Sequence, residues 1–307
     1  MKISKIPETL AGKWISWIVA AISLFTLLGK FIWGTKTSDA LITAVSVSII
    51  LLVLTGLTIF RELNTLRKEK YVSISPYLHR ALHLIRDLES YLDMLNPDDY
   101  GNSKEKSMKQ IQTVLCKILD EVVKIFSLLT GTPCRAAIKT IYRHEGKLYI
   151  FTFARDSDSQ VANRDEDKIR LRENRDSLEE NEDLDLLYQK FGPKNRRFFC
   201  NDLTKRRNYR TSSYKTYGNP TTELTPGPVN SIFDQKEWPL PYKSTIVWPI
   251  QQKESGDILD LELQACIAFV GVDSPSRNVF VEKWDAHLGA AISDALYHPL
   301  KRISALF

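Results

Sequence analysis

The sequence predicts an α+β domain with a central antiparallel sheet flanked by helices, set behind two N-terminal transmembrane helices. Three observations carry that expectation. Two apolar runs, 14–33 and 40–60, are separated only by Gly34 to Asp39. Apolar residues then recur at steps of three and four over 77–95 and 104–129, the period of a helix with one buried face. Beyond Pro133 the pattern changes to short β-rich runs, and a last helical pattern covers 281–297. Strands grouped between helices, rather than alternating with them, favour an antiparallel sheet.

Each apolar run is about 20 residues, which at ~1.5 Å rise per residue matches the ~30 Å hydrocarbon core of a bilayer. Lys30 is the single formal charge inside either run, close enough to an end to snorkel. Lys2, Lys5 and Lys13 precede the first run; Arg61, Arg67, Lys68 and Lys70 follow the second; the loop holds Lys36, offset by Asp39. Positive flanks stay on the cytoplasmic side. The expectation is therefore a multi-pass protein of the inner (plasma) membrane, with both termini and the domain cytoplasmic. Trp14, Trp17 and Trp33 stand where an aromatic belt belongs. A signal peptide is the competing reading of the first run, but no small-residue cleavage site follows it and a second run does. Ala44, Ser46, Ser48 and Gly56 in the second run allow close helix approach.

The chain divides into a transmembrane hairpin (1–60), juxtamembrane and linker helices (61–103) and a domain (104–307). The charged segment 61–70 continues the second helix, and Ser73 to Pro76 breaks it, because the residue before proline is disfavoured in a helix. Leu78, Ala81, Leu82, Ile85, Leu88, Leu92 and Leu95 make 77–95 amphipathic. That helix either pairs with its twin in a homodimer or packs on its own domain. Asn96 to Ser103 is a turn. Over 104–129 the buried face is Met108, Ile111, Leu115, Ile118, Leu119, Val122, Ile125, Phe126 and Leu129, with Gly131 and Pro133 as the stop. The runs 134–142 and 147–154, around Arg143 to Gly146, read as a hairpin. A short helix is expected over 184–191, a short strand over 198–200, and strands over 244–250 and 261–272. The Pro- and Gly-rich stretch 211–242 is too long for a plain connection and reads as a lid, a binding loop or disorder. The closing helix points Trp284, Leu288, Ile292, Ala295 and Leu296 inward, and Pro299 weakens its continuation.

With this order of elements, and with a strand ending Phe269-Val270-Gly271-Val272-Asp273-Ser274 before a short turn, Phe280 and a helix, the chain resembles the GAF family of small-molecule sensor domains over about 104–300. The resemblance implies that helices 104–129 and 281–297 pack together on one sheet face. It also implies a ligand pocket between the sheet and the irregular middle segment. It names no ligand: the NKFDE pattern of cyclic-nucleotide binders is missing, since Asn278, Phe280 and Asp285 have other spacings, and no cysteine stands in a chromophore-attachment context. No cofactor follows from the residues.

The candidate binding chemistry lies in the basic, aromatic stretch 194–217. Its ligand-binding candidates are Arg206, Arg207, Arg210, Tyr209, Tyr214 and Tyr217. Guanidinium groups suit phosphate and ring faces suit a base, so a small molecule or nucleotide is one partner; anionic membrane lipid is another. The plain alternative is a solvated loop that pairs with the acidic segment 165–185. A formal net charge of +5 over 307 residues does not argue for nucleic acid, and no duplex is expected as partner. His79 and His83 are spaced i, i+4, but residue 80 is Arg where a metalloprotease needs an acid, so they read as a surface pair and not as a metal site. Cys116, Cys134, Cys200 and Cys266 are scattered singly and read as buried thiols. No catalytic motif emerges, so the chain reads as a non-enzyme.

Three functions fit. The first is a membrane-anchored cytosolic sensor that binds a small ligand or partner and changes the association of the membrane helices. The second is an adaptor or scaffold with no ligand. The third is a two-helix membrane-disrupting effector of a bacterial defence system. With no output domain expected beyond the closing helix, any output passes to another protein or to the membrane helices.

Overall fold

The computed structural model describes residues 29, 38–95, 100–160, 176–189, 197–206, 208–218, 238–251 and 266–306, with backbone alone for 38–51, 67, 100–103, 160 and 216. They belong to two compact units, Met1–Ser73 and Ile74–Phe307.

In the first unit helix α1 (Ser38–Ser73) runs through the second apolar segment and the charged stretch after it. Leu52, Val53, Leu54, Leu57 and Phe60 on this helix are all exposed. Among the described residues no helix is long and apolar enough to cross a membrane. The first expected span, 14–33, lies outside the described residues apart from Gly29, and the side chains of the second are described only from Leu52 onward.

The second unit is α+β, as expected. Helices α2 (Ser75–Met94) and α3 (Tyr100–Thr130) come first. Strands β1 (Arg135–His144) and β2 (Lys147–Arg155) follow, then a short turn of helix, α4 (Ser157–Gln160). The middle segment holds β3 (Asp176–Ser177), α5 (Glu182–Gln189), β4 (Phe198–Cys200) and the single turn α6 (Tyr214–Tyr217). Strands β5 (Ser244–Ile250) and β6 (Ala268–Ser274) and helix α7 (Glu282–Leu306) complete it. The six strands form one sheet in the order β3-β2-β1-β6-β5-β4, antiparallel throughout.

Local chemistry explains the joints. Glu145 and Gly146 both take positive φ (49° and 77°), which gives the β1–β2 hairpin a mirror-image turn that matches strand twist. Gly131 ends α3 with φ 68° and its N–H on the Ser127 carbonyl at 2.9 Å, the usual left-handed stop. Among the described residues β4 pairs only with Thr245 to Val247, so Pro249 in β5 faces no described partner on that side, where a missing N–H costs no ladder bond. Asn201, just after β4, ties down the approach to α7. Its amide donates to the Phe280 carbonyl at 2.7 Å and its Oδ1 accepts from the Phe280 N–H at 3.0 Å.

The sheet has two covered faces. On one lie α3 and α7, both against Trp248: its ring is 5.7 Å from that of Phe126 on α3, and its Nε1 donates to the Ala286 carbonyl on α7 at 2.8 Å. The two helices therefore share one face, as the GAF resemblance implies. Helix α2 packs against both α3 and α7, with Ala81, Ile85, Leu88 and Leu92 buried. The segment expected as a linker is thus part of the domain's helical layer, and its apolar stripe is used within the chain. Each large side chain buried there contributes about 1.5–3 kcal/mol.

Two expectations about the closing helix are corrected. Trp284 is exposed, and the buried stripe is Asp285, Ala286, Gly289, Ile292, Ser293, Leu296, Leu300 and Ile303. Gly289 has to face the Trp248 ring, and that contact rotates Trp284 outward. The helix also runs through Pro299. Leu300 and Ile303 continue the buried stripe, and Arg302 bonds Asp93 and the Leu92 carbonyl on α2; together these offset the ~3 kcal/mol that a mid-helix proline costs.

Candidate functional site

The second face of the sheet carries the polar chemistry, and register places it. Residues directly opposite on antiparallel strands share a face. One row across that face is Phe198, Val247, Gly271 and Ala137; beside it runs Cys200, Thr245, Asp273 and Arg135; on the other side are Pro249, Phe269 and Lys139. The middle segment folds over these rows. Leu178, Leu184, Leu187, Leu203 and Tyr209 pack with Phe198, Val247 and Phe269 in a second core, joined by Leu240 and flanked by Trp238, Tyr242 and Tyr214.

Among the described residues this core leaves part of the middle of the sheet accessible. Ala137, Gly271 and Asp273 keep part of their surface accessible although they lie on the central strands β1 and β6. A β-carbon added to Gly271 would meet nothing nearer than a Val247 methyl at 3.8 Å. Among the described residues, the small side chains Ala137 and Gly271 thus lie in mid-sheet with a rim of polar groups around them.

The rim is charged. Asp273 has its carboxyl pushed up to about 6, chiefly by burial and in part by Asp183, against a hydrogen bond from Thr245 and the positive charges of Lys139 and Arg135. Asp183, in the first turn of α5, is buried and also raised by desolvation, although Lys139, backbone N–H groups and Tyr209 favour its charged form. Burial, assisted by these two carboxylates, pushes the Tyr209 and Tyr242 hydroxyls upward; Tyr242 also bonds Ser213 and Thr211. The Trp238 indole donates to the Tyr242 carbonyl at 2.6 Å and meets the Tyr214 ring edge-on at 6.3 Å.

The sequence-predicted candidates divide between this site and its outer cover. Tyr209 is buried, stacked 6.4 Å from Phe198. Tyr214 is half-buried, and its hydroxyl oxygen is wholly enclosed with no partner among the described residues. Tyr217 is exposed. Arg206 lies over the Phe198 ring at 5.0 Å and pairs with Glu182 at 2.6 Å. Arg210 pairs with Asp185 at 3.5 Å, and Lys215 with Glu180 at 2.6 Å. Arg207 lies outside the described residues, as do 165–175, 194–196 and 219–237 of the acidic, basic and lid-like stretches. Arg206, Arg210 and Lys215 of the basic stretch thus meet carboxylates of the acidic one, whereas Arg197 pairs with Glu282 and Lys205 with Asp202. Such pairs contribute about 0–1 kcal/mol each at a surface, and here they hold the cover together.

Sequence reasoning passed over Asp183, Asp273, Lys139, Tyr242 and Gly271. The signal for two of them was present: Lys139 and Asp273 are charges inside runs that read as central strands. The remaining candidates are plain. Cys116, Cys134, Cys200 and Cys266 are free and buried, and burial pushes the Cys134, Cys200 and Cys266 thiols up, Cys266 to about 12. His79 and His83 face each other at 2.8 Å on the exposed side of α2, and Arg86 contacts His83. Among the described residues no cluster of three metal-ligating side chains forms.

No family model matches the chain. No curated protein matches it. Solved structures do. One is a type II free methionine-R-sulfoxide reductase from Thermoplasma acidophilum, with TM-score 0.34 and 15% identity over 65% of this chain and 95% of that one. Another is the GAF domain of an Acinetobacter phosphoenolpyruvate-protein phosphotransferase, with TM-score 0.36 and 11% identity over 67% of this chain and 96% of that one. At such scores neither likeness carries an argument about this chain.

Proposed function

We propose that the chain is a membrane-anchored sensor module, GAF-like in fold, cytoplasmic in its domain and not an enzyme. The second face of its sheet receives a small ligand, and binding changes the association of the membrane helices. The observation that carries the ligand reading is the accessible pair of small residues in mid-sheet, Ala137 and Gly271, beside Asp273 and Lys139, a partly apolar surface with polar groups of the kind small-molecule sites use. The raised thiols support the non-enzymatic reading, because the thiolate is the reactive form.

The anchor rests on the two apolar runs and their basic flanks. Exposure of Leu52, Val53, Leu54, Leu57 and Phe60 on neighbouring turns of α1 supports it, since such a surface suits lipid better than water. The full-length protein is expected in the membrane fraction after alkaline carbonate washing; release by carbonate would remove the anchor from the proposal. Dimerisation through α2 would have to use its outward side, where Leu82 is exposed.

The site is tested by Gly271→Met. The added Cβ would meet only a Val247 methyl at 3.8 Å, and the longer side chain covers the accessible mid-sheet surface. Small molecules that co-purify with the detergent-solubilised parent, read by mass spectrometry, are expected to fall at least tenfold in the variant, with its melting temperature within a few degrees of the parent's. Equal recovery from both proteins would move the function to the adaptor reading.

A further inference from the structure

We propose that His79 and His83 on α2 form a chelating site for a divalent ion of tetragonal preference, nickel or copper. Side chains four residues apart on a helix lie one above the other, and here the two Nε2 atoms face each other at 2.8 Å. Two nitrogens ~2.0–2.1 Å from one metal stand about 2.9 Å apart at a right angle and about 3.3 Å apart at a tetrahedral angle. The observed separation is therefore the bite of a square-planar or octahedral ion and is short for tetrahedral zinc. The rings stand edge to face, 80° between their planes, and a rotation of each turns both lone pairs to one point. No acid is needed beside them, as it would be for hydrolysis, because water completes the remaining positions.

The domain holds this pair in place before any ion arrives. Ala81, Ile85, Leu88 and Leu92 bury the opposite side of α2, and Arg80, between the two histidines, pairs with Glu121 on α3 at 3.0 Å. A backbone already fixed lowers the cost of binding. The i, i+4 approach exists only in the folded helix, so an ion held there stabilises the fold.

Arg86 acts against the ion. Its guanidinium donates to His83 Nδ1. Arginine has no acceptor, so Nδ1 must accept, and the proton of the neutral ring sits on Nε2, which donates to His79 Nε2. A metal takes the lone pair of both Nε2 atoms. The His83 proton then moves to Nδ1 and Arg86 has to leave, taking with it a positive charge that repels the ion. Removing Arg86 therefore favours binding, which a pair held together only by its own hydrogen bonds gives no reason to expect.

The experiment titrates the full-length, detergent-solubilised protein, carrying no histidine tag, with nickel, copper and zinc salts in a non-coordinating buffer. Calorimetry reads affinity, and the melting temperature is measured with and without nickel. The expected result is nickel and copper bound more tightly than zinc, with a rise in melting temperature on adding nickel. Affinity should fall at least tenfold in His79→Gln and in His83→Gln. Neither histidine is buried, so both variants fold, and nickel should no longer raise their melting temperature. Arg86→Gln should bind nickel at least threefold more tightly, since its side-chain carbonyl can accept from Nδ1–H of the metal-bound ring. Affinity unchanged in the histidine variants would place the ion elsewhere and overturn the site. Tighter binding of zinc than of nickel would overturn the tetragonal assignment, and the absence of any binding at millimolar nickel would overturn the proposal as a whole. The sheet-face ligand is untouched by each of these outcomes.

Discussion

Replacing Gly289 with alanine is expected to destabilise the domain by about 2–4 kcal/mol, against the usual sign of that substitution. In an open helix, Gly to Ala gains up to about 1 kcal/mol in helix propensity. Here an added β-carbon would lie closer than 3.0 Å to three atoms of the Trp248 ring. The ring cannot yield easily: it is 1% exposed, packed against Phe126 and fixed by its bond to the Ala286 carbonyl. Overpacking a closed core costs about 1–3 kcal/mol and at times more, so the clash outweighs the propensity gain. For a unit of this size the melting temperature should fall by roughly 2–4 °C per kcal/mol. The pair tests itself through a double-mutant cycle. Trp248→Phe shortens the ring, so Gly289→Ala should cost much less in that background than in the parent. Equal costs in both backgrounds would show that the glycine is not there for the tryptophan.

That contact also shows where the sequence could be read and where it could not. Helix α3 was legible almost residue by residue: Ile111, Leu115, Ile118, Leu119, Val122, Ile125 and Phe126 are all buried, because a long periodic stripe repeats its signal at every turn. The hairpin β1–β2 and the strand β5 were legible for the same reason. Helix α7 was not. Trp284, Leu288 and Ala295 fit an apolar stripe as well as the true face does, and the choice between them is made by one glycine that must meet one tryptophan from a distant strand. Pro299 misled in the same way, since the helix beyond it is held by partners on α2.

The candidate site was less legible than the fold. A basic and aromatic stretch stands out in composition, but Arg206, Arg210 and Lys215 spend their charge on carboxylates from the acidic segment upstream. Asp183 sits among so many acids that nothing in the sequence distinguishes it. Lys139 and Asp273 could have been noticed as charges inside strands. That they share a face with Gly271 follows only from the pairing of β1 with β6, which joins residues more than a hundred positions apart.

The second large effect concerns Asp273. Its carboxyl titrates at about 6 in the folded domain against an ordinary 3.8, so the folded state holds its proton more tightly than the unfolded chain does. By linkage, stability falls as pH rises through the window from about 4 to about 6, and the loss is complete above it. A rise of that size corresponds to about 3 kcal/mol, at ~1.36 kcal/mol for each pH unit; the surface that Asp273 keeps open reduces this. Asp273→Asn should therefore stabilise the unliganded protein at pH 8 by about 1–3 kcal/mol, and the gain should vanish near pH 4. The measurement is denaturant unfolding of both proteins across this range. A variant weaker than the parent at pH 8 would mean that the carboxylate is already satisfied where it stands. The stabilised variant, by contrast, would mark a charge that the fold maintains at a cost, as binding sites do when stability and function compete for one residue.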